Sequence, residues 1–317
     1  MSLTHSTEHT DAARRLGLLQ ICVAGVLWGT GGLALVVLRD LTELSVIVIS
    51  AYRMAIAALV LLLVVASTRR LGHVRAILAE HPGRVCLVGL STAAYQALYF
   101  SAVINVGVSV ATVVALGLAP VLVTVWESVR SRTLPAAGHY PVLAAALTGL
   151  VLVSISEGAT SGPRPLLGLV AAVAAGTGYA VATVVGRGLA QGSHSIVLTT
   201  AATGVGAAAL VPLGIVAGWG SAPLLTTDVA AVAVLIYLGV MTMALAYALL
   251  YAGLRTTSGS AAVIATLVEP VTAAALAAWL LGEQLGVWGI VGAGLILSAV
   301  VGLARAHPAT DVRPTGA

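Results

Sequence analysis

The sequence predicts an all-α integral membrane protein of ten transmembrane helices in two inverted-topology five-helix repeats. Three observations carry this reading. Only 8% of the 317 residues are charged against 59% hydrophobic, and the mean hydropathy is +1.06. Apolar runs of membrane-spanning length recur ten times, and the second half of the chain repeats the pattern of the first. A soluble domain carries about a quarter charged residues, so a water-exposed globule of this composition would have nothing to cover its surface with. The same numbers exclude disorder, fibrous repeats and a disulfide scaffold. Cys22 and Cys86 both fall in apolar runs and read as small apolar fillers.

A helix needs about 20 mostly apolar residues to cross the hydrocarbon core. The runs are 16–38, 45–67, 84–105, 108–127, 139–156, 166–188, 196–218, 229–253, 259–281 and 285–304. Each is expected to be helical, because an open strand leaves backbone groups unpaired in lipid. The first run is too long for a signal-peptide core and is expected to remain as a span. Around them fall a cytoplasmic tail (1–15), a first repeat (16–156), an outer linker (157–165), a second repeat (166–304) and a cytoplasmic tail (305–317).

The chain has 15 arginines and no lysine. With the N-terminus inside, the cytoplasmic segments hold Arg14, Arg15, Arg69, Arg70, Arg75, Arg84, Arg130, Arg132, Arg187, Arg255, Arg305 and Arg313, and the outer loops only Arg39 and Arg164. That asymmetry predicts that both termini lie in the cytoplasm. The excess charge of +4 sits in short inter-span loops, so it orients the chain and is no nucleic-acid footprint. Trp126, Trp219, Trp279 and Trp288 lie near span ends, as interfacial anchors do. The longest cytoplasmic loop, Thr68–Gly83, reads as an orientation anchor, and Glu127 with Arg130 as an interfacial ion pair.

The repeat is visible residue by residue. Gly17-Leu18-Leu19 is matched 151 residues later by Gly168-Leu169-Val170, and Ala57-Ala58-Leu59-Val60 by Ala208-Ala209-Leu210-Val211. Tyr95 and Tyr99 match Tyr247 and Tyr251, Pro120 matches Pro270, and Trp28 matches Tyr179. With five spans per copy, the second copy enters the membrane from the opposite side. Such inverted repeats recur in secondary transporters, whose substrate site lies near the midplane between the copies.

Leu27-Trp28-Gly29-Thr30, Ala51-Tyr52-Arg53, Val268-Glu269-Pro270 and Leu281-Gly282-Glu283, in this order over ten spans, resemble the EamA family of the drug/metabolite transporter superfamily. The resemblance runs from about Arg15 to Arg305. It does not extend to a symmetric pair of carboxylates, since Ala119-Pro120 lacks the glutamate and Ser131-Arg132-Thr133 stands where a Leu-Gly-Glu would. It implies export of amino acids or other small metabolites across the bacterial inner membrane, and leaves the substrate open.

A charge at the bilayer centre costs about 2.5–3.5 kcal/mol on insertion scales, so each is a functional hypothesis. Glu269, directly before Pro270, is expected at an N-cap-like position where proline breaks the ninth span; Pro120 marks the matching break in the fourth. Glu269 reads as a proton carrier or ammonium ligand, or as a helix cap. Arg53 lies about 12 Å from the outer end of its span. It is expected to snorkel, to pair with a carboxylate such as Glu157, or to bind a substrate carboxylate. Tyr95, Gln96 and Tyr99 share one face of the third span, and Tyr247 and Tyr251 repeat the spacing in the eighth. With Trp28 and Tyr179 they form a set related by the repeat, expected to line one hydrated cavity; packing against neighbouring helices is the alternative. Small residues such as Gly204, Gly206, Gly292 and Gly294 read as helix-packing positions, those of the last span also as a candidate homodimer face.

These residues call for no cofactor or metal. The partners expected are a small-molecule substrate, membrane lipids and, as a candidate coupling ion, protons. All seven histidines lie outside span interiors, and no zinc-protease helix, aspartate pair or phosphate loop is present, which argues against an enzyme. A channel would show charge rings or filter carbonyls. A flippase for a lipid-linked headgroup is the main alternative to a metabolite exporter.

Overall fold

The structure, a computed structural model, describes residues 2–156, 163–219, 223–280 and 286–305. They form ten helices long and apolar enough to cross a membrane. Span one is α1 (Ser2–Leu41) and span two α2 (Val46–Ser67), followed by a short α3 (Leu71–Glu80). Spans three to five are α4 (Pro82–Val106), α5 (Val108–Ser131) and α6 (His139–Ser156). Spans six and seven are α7 (Pro165–Gly192) and α8 (Ser195–Gly218). Span eight is α9 (Val229–Gly239), a π turn (Val240–Leu245) and α10 (Ala246–Gly253). Span nine is α11 (Gly259–Ala265) and α12 (Val268–Leu280), and span ten is α13 (Val287–Arg305).

The helix ends follow local chemistry. Ser45, Asp228 and Ser258 cap α2, α9 and α11 with side-chain oxygens that accept from backbone amides. Pro82 and Pro165 open α4 and α7, where their missing N–H costs nothing. Gly107 turns the chain between α4 and α5 at φ 93°, a region closed to most side chains.

α1 begins at Ser2, so the N-terminal tail continues the first helix. Two expectations need correction. The Thr68–Gly83 loop contains α3, whose Val74 and Ile77 are buried against the bundle, so its apolar face makes it more than an anchor. Pro120 does not break its span, since α5 runs through it. Glu157, the Leu281-Gly282-Glu283 stretch, Arg313 and most of the 157–165 linker lie outside the described residues.

The packing obeys the inverted two-fold relation. α4 and α5 pack on α7 as their counterparts, α10 and α12, pack on α1. Across the symmetry axis, α2 meets α8 and α6 meets α13. At the α6–α13 crossing a Cβ on Gly149 would lie 2.6 Å from the Gly292 carbonyl, and one on Gly292 2.6 Å from that of Gly149. Gly292 therefore serves close packing within this chain, as small residues do between membrane helices. The outer surface is apolar, with Leu59, Leu63, Val170 and Ile290 among its exposed side chains, and Trp219, Trp279 and Trp288 at span ends.

Candidate functional site

The central site begins with an arc of rings. Tyr99 stacks on Tyr95 (centroids 5.9 Å), Tyr95 lies tilted against Tyr179 (5.2 Å), and Tyr179 meets Trp28 edge-on (6.4 Å). Trp28 then meets Tyr247 (5.2 Å), and Tyr247 meets Tyr251 (6.2 Å). All six aromatic residues named from the sequence thus form one continuous series. Its order reads the same from either end under the repeat, with Tyr99 and Tyr95 answering Tyr251 and Tyr247, and Tyr179 answering Trp28.

A cavity of about 200 Å³ lies along this arc. Its walls include Trp28, Tyr95, Gln96, Tyr99, Tyr179 and Tyr247, together with Arg53, Glu269 and Pro270. Tyr251 is not among them; it is 1% exposed and packs behind Tyr247 against Gly186. Leu35, Phe100 and Val108 also line the cavity, so it extends away from the two termini toward the Gly107 turn.

Thr242 organises one wall. In the π turn the amide of Ala246 bonds to Met241 and Met243, passing over the Thr242 carbonyl that an α-helix would use. The Trp28 indole N–H donates to that carbonyl at 2.8 Å. The Thr242 hydroxyl donates to the Leu238 carbonyl at 2.6 Å and accepts from Arg53 Nη2 at 3.1 Å. Arg53 is thereby held inward, and its buried Nε has no hydrogen-bond partner among the described residues. Gln96, 4% exposed, has neither amide atom bonded among the described residues. Unpaired buried polar groups are costly, so these atoms point to a polar occupant.

The break in span nine falls at Thr266–Leu267, three residues before Glu269, rather than at Glu269 itself. Glu269 is the second residue of α12 and Pro270 the third, so the carboxylate sits in a first turn, where exposed amides and the helix dipole favour negative charge. The Thr266 carbonyl accepts the Glu269 amide at 2.9 Å, and the Thr266 hydroxyl bonds the Tyr179 hydroxyl at 3.0 Å. α1 passes close by, because a Cβ on Gly29 would lie 2.6 Å from the Glu269 carbonyl. Tyr99 is fixed by Thr112 at 2.8 Å.

Sequence reasoning missed Thr112, Thr242 and Thr266. A threonine in an apolar helix commonly bonds its own preceding turn, as Thr242 and Thr266 also do, so composition carried no signal for the second bond each makes. Glu127 also departs from its sequence expectation. Its carboxylate accepts from the Gly259 and Ser260 amides at 2.7 and 3.3 Å, tying span four to the start of span nine in place of the expected pair with Arg130.

Fold and cavity together define a helical membrane carrier made of two inverted copies. The EamA-like transporter family matches twice, over residues 15–155 and 166–305, one copy per repeat. The chain belongs to that family. An uncharacterized transporter of Bacillus subtilis (strain 168), YwfM, is 26% identical over 290 residues, covering 91% of this chain and 93% of that protein. A crystal structure described only as that of a protein superposes with a TM-score of 0.75 at 19% identity, over 90% of this chain and 95% of its own, which speaks for the fold.

Proposed function

We propose that this transporter exports small zwitterionic or amphipathic metabolites, amino acids among them, by alternating access across the cytoplasmic membrane, with both termini inside. The observation that carries the reading is the shared cavity of Glu269, Arg53 and Gln96 between the repeats. A carboxylate, a guanidinium and an unpaired amide suit a solute bearing ammonium and carboxylate groups. The aromatic wall suits its apolar part. The cavity volume lies below the roughly 300–1,000 Å³ of drug-sized pockets, which favours a small solute. Glu269 serves as the exchangeable charge, with protons as the coupling ion.

In this reading the cavity, extending away from the termini, belongs to the state open outward. Opening inward requires the Glu127 contacts to Gly259 and Ser260, and the Arg187 Nε bond to the Thr257 carbonyl (2.9 Å), to separate. The test is counterflow in liposomes with a panel of amino acids and small metabolites, with and without a pH gradient. Counterflow of a panel member is the expected result, and its dependence on the gradient would support proton coupling. Silence with verified insertion would overturn the reading in favour of headgroup flipping.

A further inference from the structure

A second and larger hollow, about 980 Å³, opens on the side of the termini. Its walls are the first turns of α4 (Gly83, Arg84, Leu87), the last turns of α5 (Thr124–Ser131), the link to α6, and the end of α7 (Val184–Gln191). α4 and α5 meet at Gly107, at the far end of both helices, so the hollow lies between their free ends with α7 as a third wall. Ala119, Val123, Ala180 and Val263 pack beneath Tyr179 of the ring arc as a buried layer, so this hollow is separate from the central cavity.

Two properties of the walls coincide. Three arginines from three spans line it: Arg84, Arg130 and Arg187. The one acidic lining residue, Glu127, spends its carboxylate on the Gly259 and Ser260 amides. Arg187 is oriented by its Nε bond to the Thr257 carbonyl, which leaves its terminal nitrogens for another acceptor. Beside polar lining residues such as Thr124, Ser128, Thr133, His139 and Gln191, the walls present apolar, exposed side chains: Leu87 (45%), Trp126 (50%) and Leu134 (86%), continuous with exposed Val125 and Val129 on α5. A free anion would use the polar and guanidinium groups and leave those apolar surfaces uncovered. An amphiphile with an anionic head uses both, and basic pockets between membrane helices on the cytoplasmic side suit such heads.

We infer that this hollow is a binding site for an anionic phospholipid, its phosphodiester held by Arg84, Arg130 and Arg187 and its acyl chains running over Leu87 and Trp126. Guanidinium forks match phosphate geometry bidentately, and an indole at headgroup level anchors the rim. The lipid sits against α5 and the Thr257–Gly259 turn, so it braces the closure on this side.

The test uses the full chain extracted into mixed micelles of phosphatidylglycerol and phosphatidylcholine, with retained lipid counted by native mass spectrometry. Wild type should retain phosphatidylglycerol selectively and unfold at a higher temperature with it. Retention should fall about fivefold for each arginine lost among R84Q, R130Q and R187Q. R130Q alone, at an exposed position, keeps the test valid if the triple variant fails to fold. A triple variant R69Q, R70Q and R75Q removes equal charge elsewhere on the same side and should retain the lipid. Equal loss in both triples, or no selectivity in wild type, would overturn the site. So would inorganic phosphate alone giving the full thermal shift.

Discussion

Spans four and nine are counterparts in the repeat and carry prolines at matching positions, yet α5 runs unbroken through Pro120 while span nine breaks at Thr266–Leu267. Spans three and eight differ in the same direction: α4 is a regular helix, and span eight passes through a π turn. Both irregularities among the described residues of these four spans thus lie in the second copy, and each positions a residue of the cavity wall. The π turn frees the Thr242 carbonyl for Trp28, and the break puts Glu269 in a first turn. The first copy answers with side chains on regular helices: Arg53, Tyr95, Gln96 and Tyr99. Symmetry between the copies accounts for the architecture, and departures from it account for the chemistry.

The largest test of that division is Glu269→Gln. We expect the variant to insert and fold, because the amide keeps the shape and the first-turn position, and to lose counterflow together with any response to a pH gradient. Transport at the wild-type rate with intact pH dependence would remove Glu269 from the mechanism and leave the second copy only the contribution of its π turn.

Next in size is Thr242→Val, which keeps the side-chain shape and the carbonyl used by Trp28 but removes the acceptor of Arg53 Nη2. A hydrogen bond to a charged group is worth about 1.5–3 kcal/mol, so counterflow affinity should fall at least about tenfold as Arg53 loses its orientation. The concentration dependence of counterflow reads this directly. Unchanged affinity would show that Arg53 is held by other means.

How much of this was legible follows from which interactions are periodic. The ten spans rest on run length, and the aromatic arc on i, i+4 spacing plus the repeat offset, which together single out Tyr95, Tyr99, Tyr179, Trp28, Tyr247 and Tyr251. Illegible were features that depend on a second helix. Glu127 reads locally as a partner for Arg130, and only the fold brings the Gly259 and Ser260 amides to its carboxylate. Pro120 reads like Pro270, because the sequence around a proline does not say whether the carbonyl four residues earlier finds another donor. The π turn has no proline or glycine pair to announce it.

Tyr99 and Tyr251 are counterparts that the cavity separates, and their alanine variants should part accordingly. Tyr99→Ala removes a wall and should change the ranking of substrates in a counterflow panel. Tyr251, buried behind Tyr247, should leave the ranking alone and cost about 3 kcal/mol of stability, as large-to-small changes in a packed core do. Thermal unfolding alongside the panel separates the two; a changed ranking with Tyr251→Ala would mean that the cavity reaches further along the arc.

The smallest effect is expected from Pro120→Ala. Its missing amide would have served the Leu116 carbonyl, and membrane helices tolerate such a gap by local adjustment, so the substitution should shift stability by less than about 1 kcal/mol and leave transport unchanged. Pro270→Ala restores an amide aimed at the Thr266 carbonyl, which now accepts from Glu269. The α-helical bond can then form, the break anneals, and Glu269 leaves its first-turn position, slowing counterflow a few-fold. Equal behaviour of the two variants would mean that proline does not maintain the break, and that the difference between spans four and nine is set by the helices packed against them.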